Sequence, residues 1–445
     1  MKRSYAYGVM TCFAVAFMGL SGLAKAQESK RVSADQILAD ALAHSLSVKA
    51  AEQERFAADA RRSQADAKGL PSLDVDMRAG RFNGLEDSSL GPTLTLPAIE
   101  DRYAAGVVLT QPLFTGGQIT HQKQSAEFQQ QAAVARVQST TADVALQALQ
   151  TYWAWSKSFH VLASLQSALA RIDAHAVDMR NLEQNGLATA NDRLATDVLR
   201  DQTSLKLQEA SRATALARAR IAFLTGYELP AAAMPDDPVS AESVAVPEEH
   251  ALIADAVTNR AERVVRQKEF ESADAGAGAT RAGYVPKLYL TAHYEQMRPN
   301  SYFFPPEDKW NDDAFAGVVM TWNIFDSGLT RAAVKEAEAK RQTARLMLAQ
   351  MEDLITLQVE EARINLQNAL DRCGVAVHAE NSAAQNLKTV TDQWQNGLSR
   401  HSEVLDAHAQ LTQAQYDVIA ARADAALARS ALDHAVGRLA MSINK

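Results

Sequence analysis

The chain has 445 residues, 22% of them charged and 47% hydrophobic, with a formal net charge of −8 at pH 7. This composition is typical of a folded protein, and the lack of a basic run argues against nucleic acid as a partner. Of the two cysteines, Cys12 lies in an N-terminal segment that we expect to be removed, which leaves Cys373. A single cysteine excludes an intrachain disulfide and a cysteine-based metal cluster.

Residues 1–26 are predicted to be a secretory signal peptide. Lys2 and Arg3 form a basic start, residues 9–23 are mostly apolar, and residues 24–26 read Ala-Lys-Ala, an A-x-A cleavage site. An N-terminal membrane anchor is the alternative, but the apolar stretch is shorter than the roughly 20 residues that span a bilayer. Cleavage removes three basic residues (Lys2, Arg3 and Lys25), so that the formal charge changes from −8 to −11.

The rest of the sequence is predicted to contain two copies of one structural unit. Residues 111–117 read Gln-Pro-Leu-Phe-Thr-Gly-Gly and residues 322–328 read Trp-Asn-Ile-Phe-Asp-Ser-Gly, an offset of 211 residues between Phe114 and Phe325. The same offset relates the Gln-Asn-Gly-Leu segments at 184–187 and 395–398, and also Gly226 and Gly437. We expect a first copy at 27–229 and a second at 249–445, joined by a proline-containing polar linker at 230–248.

Long helices dominate both copies. Residues 118–184 contain neither Gly nor Pro, and a helix of that length would reach about 100 Å. Residues 329–395 are interrupted only by Gly374. Each segment is followed by an Asn-Gly-Leu turn and a shorter helix, at 191–224 and 401–436, so that long helix pairs occupy 117–226 and 328–437. Two further helices are predicted at 34–68 and from 249 to about 274.

A seven-residue repeat in the last helix indicates coiled-coil packing. The first set of positions is Val404, Leu411, Val418, Ala425, Leu432 and Leu439, and alanines follow each of the first five by three residues. The preceding long helix keeps the same spacing at Leu348, Ile355, Ala362, Ala369, Ala376, Ala383 and Val390. A cytoskeletal-type rod is an alternative interpretation of these helices, but a rod does not explain the segments between them.

Those other segments predict one β-hairpin in each copy, at 71–114 and 286–325. Apolar residues alternate with charged or polar ones, as in Leu73, Val75 and Met77 of the first copy and Leu288 and Leu290 of the second. Apolar residues facing out and charged residues facing in suit a water-filled membrane barrel. A small soluble sheet capping a helical bundle is the alternative.

Four strands have two open edges and cannot close a barrel, for which about eight strands are needed. Because unpaired strand edges are costly in lipid, the protomer is expected to oligomerise, and a trimer would supply twelve strands. The predicted fold class is therefore mainly α with β: a long coiled-coil α-helical barrel plus four membrane strands per protomer. The competing function is a periplasmic coiled-coil scaffold without a pore.

With these motifs, the sequence resembles the TolC-type family of outer-membrane efflux and type I secretion channels. The resemblance rests on the two Phe-centred segments at 111–117 and 322–328, the Asn-Gly-Leu turns, and Glu-Val-Leu-Asp-Ala at 403–407. It implies a homotrimer with a β-barrel in the outer membrane, an α-barrel across the periplasm, and an equatorial belt that includes the linker. It also implies two partners, a periplasmic adaptor and an inner-membrane pump or ABC translocator.

The resemblance assigns site residues as well. The helix tips would dock the adaptor through Gly186, Leu187, Gly397, Leu398 and Ser399, although Asn-Gly is also simply good turn chemistry. Acidic rings at the periplasmic constriction would be formed by Glu403 and Asp406, favouring cations; the alternative is an ordinary helix start stabilised by its acids. Asp192 matches an acid that helps to close the entrance, and we expect a contact between Asp192 and Arg400.

No catalytic motif is present: the sequence lacks His-Glu-x-x-His, Gly-x-Ser-x-Gly and a phosphate-binding loop. The ten histidines, including His401 and His408, are predicted to be surface residues on polar helix faces rather than metal ligands. We therefore expect no enzyme activity, no cofactor and no metal.

Overall fold

The computed structural model describes residues 31–89, 91–93, 95–96, 98–236 and 248–439. The predicted signal peptide at 1–26 lies outside the described residues, as does most of the predicted linker, at 237–247. The elements of the first part, in chain order, are β1 (Arg31–Val32), α1 (Ala34–His44), α2 (Leu46–Ala67), β2 (Ser72–Arg81), β3 (Ser88–Ser89), β4 (Thr95–Leu96), β5 (Asp101–Phe114), α3 (Gln118–Gln184), α4 (Ala190–Thr225) and β6 (Met234–Pro235). The second part contains α5 (Glu249–Asn259), α6 (Ala261–Arg281), a 3-10 turn (Ala282–Tyr284), β7 (Lys287–Arg298), β8 (Asn311–Thr321), α7 (Leu329–Gln395) and α8 (His401–Ala435).

The two longest helices, α3 and α7, have 67 residues each and the bounds that the sequence predicts. A helix of 67 residues is about 100 Å long, so each runs far beyond the size of an ordinary globular core. Each begins directly after a glycine in the left-handed region, Gly117 (φ 83°) or Gly328 (φ 88°). The shorter partners α4 and α8 return along them. No helix among the described residues combines the length and the hydropathy needed to cross a bilayer.

The prediction of a single helix at 34–68 and another from 249 to about 274 is wrong, because each segment breaks into two helices. The first breaks at Ser45, whose hydroxyl accepts a hydrogen bond from the Val48 amide at 3.3 Å and so caps α2. A residue that offers its own oxygen to the backbone favours a helix start over a helix interior. The second breaks at Arg260, and α6 continues to Arg281, seven residues beyond the predicted end.

Burial on α8 and α7 follows the seven-residue spacing. All six positions of the α8 set are buried, as are four of the five alanines that follow them by three residues. On α7, Ile355, Ala362 and Ala369 are buried, and the other four positions of that set are half-buried. The prediction that these residues form the packed stripe of each helix is confirmed.

Two buried clusters hold the long helices near their midpoints. One joins α1, α3 and α4 around Tyr152 and Trp155, and the Tyr152 hydroxyl donates to the Val32 carbonyl at 3.2 Å. The other joins α5, α7 and the end of α8 around Ile355 and Val359, both 0% exposed. A short helix therefore packs against each pair of long helices: α1 against α3 and α4, and α5 against α7 and α8.

Both predicted hairpins form, and they combine into one antiparallel sheet with the strand order β2-β5-β7-β8. β2 pairs with β5, β7 pairs with β8, and the two hairpins join along β5 and β7. The edges of this sheet are β2 and β8, which come from opposite halves of the chain. Neither edge strand has a second partner within the described part of the chain.

Candidate functional sites: the sheet face and the helix tips

The strand register places the apolar residues of both hairpins on one face of the sheet. Val75 lies opposite Val107, Val107 opposite Tyr294, and Tyr294 opposite Ala314. Directly opposed residues share a face and successive residues alternate, so one face carries the following residues: Leu73, Val75, Met77, Ala105, Val107, Leu109, Leu288, Leu290, Ala292, Tyr294, Ala314, Ala316, Val318 and Met320. We call this the apolar face.

The opposite face is more polar, although Val108, Phe315 and Val319 also lie on it, and it contains a row of acids at one level. Asp76 lies opposite Gly106, Gly106 opposite Glu295, and Glu295 opposite Asp313. The apolar face is open to the surroundings as well: Leu73, Val75 and Met77 are 68%, 65% and 78% exposed. A contiguous exposed apolar surface marks a contact with lipid or with another protein.

Both helix tips end in the same backbone motif. After α3, the Gly186 amide donates to the Glu183 carbonyl at 3.0 Å and the Leu187 amide donates to the Leu182 carbonyl at 2.8 Å. After α7, Gly397 and Leu398 repeat both bonds, at 2.9 and 2.8 Å. This is the Schellman arrangement, which requires a left-handed residue where the two glycines stand, with φ of 72° and 75°.

The leucines at the tips are not used by this motif. A hydrophobic contact back onto the helix often accompanies a Schellman turn, yet Leu187 is 75% exposed and Leu398 is 78% exposed. Ser399, also predicted at this site, is half-buried, and its hydroxyl donates to the Val390 carbonyl at 3.2 Å. The structure therefore leaves two large apolar side chains at the ends of the long helices with nothing packed over them within the described chain.

Asp192 does not contact Arg400 within the protomer. Its carboxylate instead accepts hydrogen bonds from the Thr189 hydroxyl at 2.6 Å and the Thr189 amide at 3.1 Å, which forms a capping box at the start of α4. These bonds, the hydroxyl bond foremost, lower the pKa of Asp192 below its usual range. The predicted Asp192–Arg400 contact is absent within one protomer, because the capping box already occupies the acid.

The equivalent acid at the second tip, Glu403, is not part of a capping box. The offset of 211 residues carries Thr189 to Arg400 and Asp192 to Glu403. Arg400 caps α8 without a side-chain hydrogen bond, so no hydroxyl is available to hold Glu403. Glu403 and Asp406 are both exposed, on the side of α8 away from the buried Val404 and Ala407, and no side-chain partner of Glu403 lies within the described residues.

The prediction that His401 and His408 are surface residues is wrong. His401 is only 8% exposed and His408 is half-buried, because both rings turn towards His175 on α3. The His175 ring centroid lies 5.2 Å from that of His401, 5.7 Å from that of His408 and 5.5 Å from that of Trp394. His401 and His408 are seven residues apart, and His408 directly follows the buried Ala407, so both hold the same place in the seven-residue repeat beside the buried stripe. This spacing is the sequence signal that could have identified them. We call His175, His401, His408 and Trp394 the histidine cluster.

Hydrogen bonding fixes the tautomer of His401. The Thr196 hydroxyl donates its proton to the Asp192 carbonyl at 2.9 Å, and Nε2 of His401 lies 2.9 Å from the same hydroxyl oxygen. With the Thr196 proton given to that carbonyl, we assign Nε2 of His401 as the donor to the Thr196 oxygen, which leaves the lone pair on Nδ1. That buried Nδ1 has no hydrogen-bond partner, and neither does Nε2 of His175.

One further group in the described residues resembles a metal site. Asp143, Glu262 and His434 have potential ligand atoms within 4.8 Å of one another. Both Glu262 oxygens, however, accept hydrogen bonds from Arg260, at 3.0 and 2.9 Å, and His434 contacts Asp143 at 3.0 Å. Arg260 already supplies the positive charge that balances these acids, so the group does not require an ion.

An exposed apolar sheet face carried on helices about 100 Å long defines a class of elongated protein with a surface at one end for contact with lipid or with another protein. Residues 37–227 and 252–438 match the family described as outer membrane efflux protein. These segments make up most of the sequence, and the chain belongs to this family.

Curated relatives include outer-membrane proteins of efflux pumps. The solvent efflux pump outer membrane protein SrpC of Pseudomonas putida is 24% identical over 365 residues, which cover 77% of this chain and 74% of that protein. The protein CyaE of Bordetella pertussis is 29% identical over 167 residues, and the match spans only 33% of its length.

Solved structures of outer-membrane channels share the fold. VceC of Vibrio cholerae superposes with a TM-score of 0.79 at 18% identity, over 91% of this chain and 96% of that chain. CusC superposes with a TM-score of 0.77 at 18% identity, over 91% and 92% of the two chains. At 18% identity, these likenesses show that the fold is shared.

Proposed function

We propose that this protein is one third of a trimeric outer-membrane channel that serves as the exit duct of a tripartite efflux pump or a type I secretion system. The observation that carries this proposal is the four-stranded sheet with an exposed apolar face and two open edges. One protomer cannot pair its own edges, because β2 and β8 lie at opposite ends of the strand order. Three copies would join β8 of one to β2 of the next and close a barrel of twelve strands, above the practical minimum of about eight.

The polarity of the two faces supports the same arrangement. In a barrel whose apolar face meets lipid, the row containing Asp76, Glu295 and Asp313 faces the lumen. A lumen lined with charge is expected to be filled with water. The alternative, a periplasmic scaffold without a pore, would leave Leu73, Val75 and Met77 exposed to water without a function.

The long helices would then form the periplasmic part of the duct, with the helix tips furthest from the membrane. Exposed Leu187 and Leu398 suit an apolar contact with a periplasmic adaptor, and the adaptor would in turn link the duct to an inner-membrane pump or translocator. The chain itself would be a passive conduit, opened when docking at the tips shifts the inner helices. The longer match, to a solvent pump protein, favours a pump over a secretion system.

Free carboxylates at the second tip would set the charge of the closed entrance. Three copies of Glu403 and Asp406 around a narrow opening would concentrate cations and repel anions. The Asp192 carboxylate keeps its charge but is held against the start of α4 by hydrogen bonds from Thr189, so it is less able than Glu403 to turn towards a passing ion.

The test is the mass and the conductance of the full-length protein. We expect the detergent-solubilised protein to have the mass of a trimer by light scattering, and to give stepwise cation-selective currents in planar bilayers. Replacing Glu403 and Asp406 with Gln should reduce cation selectivity, whereas Asp192→Asn, the matched control at the first tip, should change it much less. A monomer without conductance would refute the channel and favour the scaffold.

A further inference from the structure

The histidine cluster connects all four long helices beside the helix tips. His175 belongs to α3, Trp394 to the last turn of α7, and His401 and His408 to α8, while the Thr196 hydroxyl on α4 accepts the His401 proton. Helices α3 and α4 belong to one half of the chain, and α7 and α8 to the other. The cluster is therefore a polar contact between the two helix pairs at the end where the duct would open.

The contact depends on neutral rings. The imidazoles of His401 and His408, with centroids 5.2 and 5.7 Å from that of His175, can pack against it when uncharged, but two imidazolium ions at that separation repel each other. The lone pair on the buried Nδ1 of His401 faces no donor, so it is a vacant site for a proton. A proton taken up there places a positive charge in a poorly solvated position next to the other rings.

We propose that His175, His401 and His408 form an acid-sensitive latch, which holds the two helix pairs together when neutral and separates them when protonated. The consequence for transport rests on the proposed channel function, but the latch itself is a property of helix packing. Acid in the periplasm would then favour the open entrance even before an adaptor docks.

The charged groups around the cluster do not compensate for the positive charge of a protonated ring. On α3, Asp178 favours a charged His175, but only as the weakest of the influences on that ring, and Arg171 opposes a charged His408. On α4, the carboxylate and the backbone carbonyl of Asp192 favour a charged His401, but burial of the ring outweighs them. The residue of α7 that contacts the rings is Trp394, which carries no charge. On α8, a charged His401 opposes protonation of His408.

Burial lowers the pKa of all three histidines, and that of His175 falls to about 4. The latched state therefore binds fewer protons than a released state with ordinary histidines of pKa 6.5. By linkage, the latched state is fully favoured above about pH 6.5 and loses this advantage as the pH falls towards 4. For a single ring with these two pKa values, lowering the pH from 7 to 5 shifts the equilibrium towards release by a factor on the order of ten.

The experiment measures access to a buried position beside the cluster. Ala407 is 1% exposed on α8 between the two histidines, so a cysteine placed there (Ala407→Cys, in a Cys373→Ala background) reacts with a maleimide only when the helices separate. The reaction rate is divided by that of Leu398→Cys, an exposed site, to remove the direct effect of pH on the thiol. We expect this ratio to rise roughly tenfold between pH 7 and pH 5 in the otherwise unchanged full-length protein.

Replacing His175, His401 and His408 with Gln should abolish the rise, because glutamine does not titrate. His160→Gln is the matched control, since His160 is a half-buried histidine of α3 outside the cluster whose pKa is also lowered by burial, and this variant should keep the rise. Circular dichroism checks that each variant is folded, and His175→Gln alone, which should reduce the rise, replaces the triple variant if that one does not fold. The latch would be overturned if the ratio of the two labelling rates stayed constant between pH 7 and pH 5 while all three histidines are present. It would also be overturned if the ratio rose equally in the variant with three glutamines. Conductance is recorded separately, so a protein whose ratio rises but which carries no current would refute the channel and not the latch.

Discussion

Arg260 offers a quantitative test of how the second half of the chain is held together at the junction of α5 and α6. Its side chain is buried, and its guanidinium donates to both oxygens of Glu262, at 3.0 and 2.9 Å. The same group donates to the Gln358 side chain of α7 at 2.9 Å and to the Ala435 carbonyl at the end of α8 at 3.3 Å. One side chain thus ties the α5–α6 junction to both helices of the second pair.

Replacing Arg260 with Met removes these four hydrogen bonds and leaves the Glu262 carboxylate, 22% exposed, without its partner. Breaking a buried ion pair from one side costs about 3–5 kcal/mol, and the partial exposure of Glu262 places our expectation near 3 kcal/mol. Arg260→Lys keeps the charge but loses the two-pronged bond, and we expect a cost of about 1–2 kcal/mol. The double variant Arg260→Met with Glu262→Met should recover most of the loss, because no unpaired charge remains.

The assay is guanidinium unfolding followed by circular dichroism in detergent, at one fixed protein concentration because oligomers unfold in a concentration-dependent way. The unchanged protein, Arg260→Met, Glu262→Met and the double variant form a double-mutant cycle, in which the coupling energy between the two side chains is measured directly. A loss below about 1 kcal/mol for Arg260→Met, or a double variant less stable than the single one, would show that the ion pair does not hold this junction.

Three other predictions concern the first half of the chain and the tips. A Cβ on Gly116 (φ 62°) would lie 1.9 Å from the Val285 side chain, so Gly116→Ala should destabilise the fold by about 2 kcal/mol or more in the same unfolding assay, and Val285→Ala should restore part of the loss. Asp192→Ala removes a capping box and should cost about 1 kcal/mol at pH 7. Since the pKa of Asp192 is lowered in the fold, this difference should be present above about pH 3.8 and disappear as the pH falls through the lowered pKa. Leu187→Ser with Leu398→Ser should leave folding unchanged but abolish export in cells, measured as sensitivity to an exported compound.

The matched controls lie in the second half of the chain. Ser327, the equivalent of Gly116 by the offset of 211 residues, has φ 55°, so a side chain is tolerated in this backbone conformation where the space is open. Ser327→Gly, which removes a Cβ from this conformation, should therefore change stability little, and a gain as large as the Gly116→Ala loss would assign that loss to backbone strain instead of the contact with Val285. For the tips, Asn185→Ser and Asn396→Ser change polar residues of the same turns and should keep export.

The sequence predicts the long helices to the residue because the signals are local. Continuous segments without Gly or Pro define α3 and α7, and a glycine that the turn requires ends each of them. The hairpins follow from alternation within about ten residues. The register that places both hairpins on one sheet depends on contacts between β5 and β7, residues far apart in the chain, and alternation alone does not specify it.

The histidine cluster could not be predicted for the same reason. Position on α8 suggests that His401 and His408 border the buried stripe, but their burial depends on α3 and on Thr196 of α4, more than 200 residues earlier. The breaks at Ser45 and Arg260 were missed because both residues lie inside segments with helical composition. At Ser45 the helix stops because the serine hydroxyl caps α2. At Arg260 it stops at the α5–α6 junction, where the Arg260 side chain bonds to α6, α7 and α8.

The central pairing of the sheet has a consequence for biogenesis. Thr110 of β5 lies opposite Thr291 of β7, so closing this contact brings together residues 181 positions apart. Such a distant pairing forms slowly, since the entropy of the intervening chain must be lost first. Until β7 has been synthesised and exported, β2 and β5 can form only a lone two-stranded ribbon, which is marginally stable in water and has an exposed apolar side. During export the first half of this protein therefore needs protection from aggregation until the second half arrives.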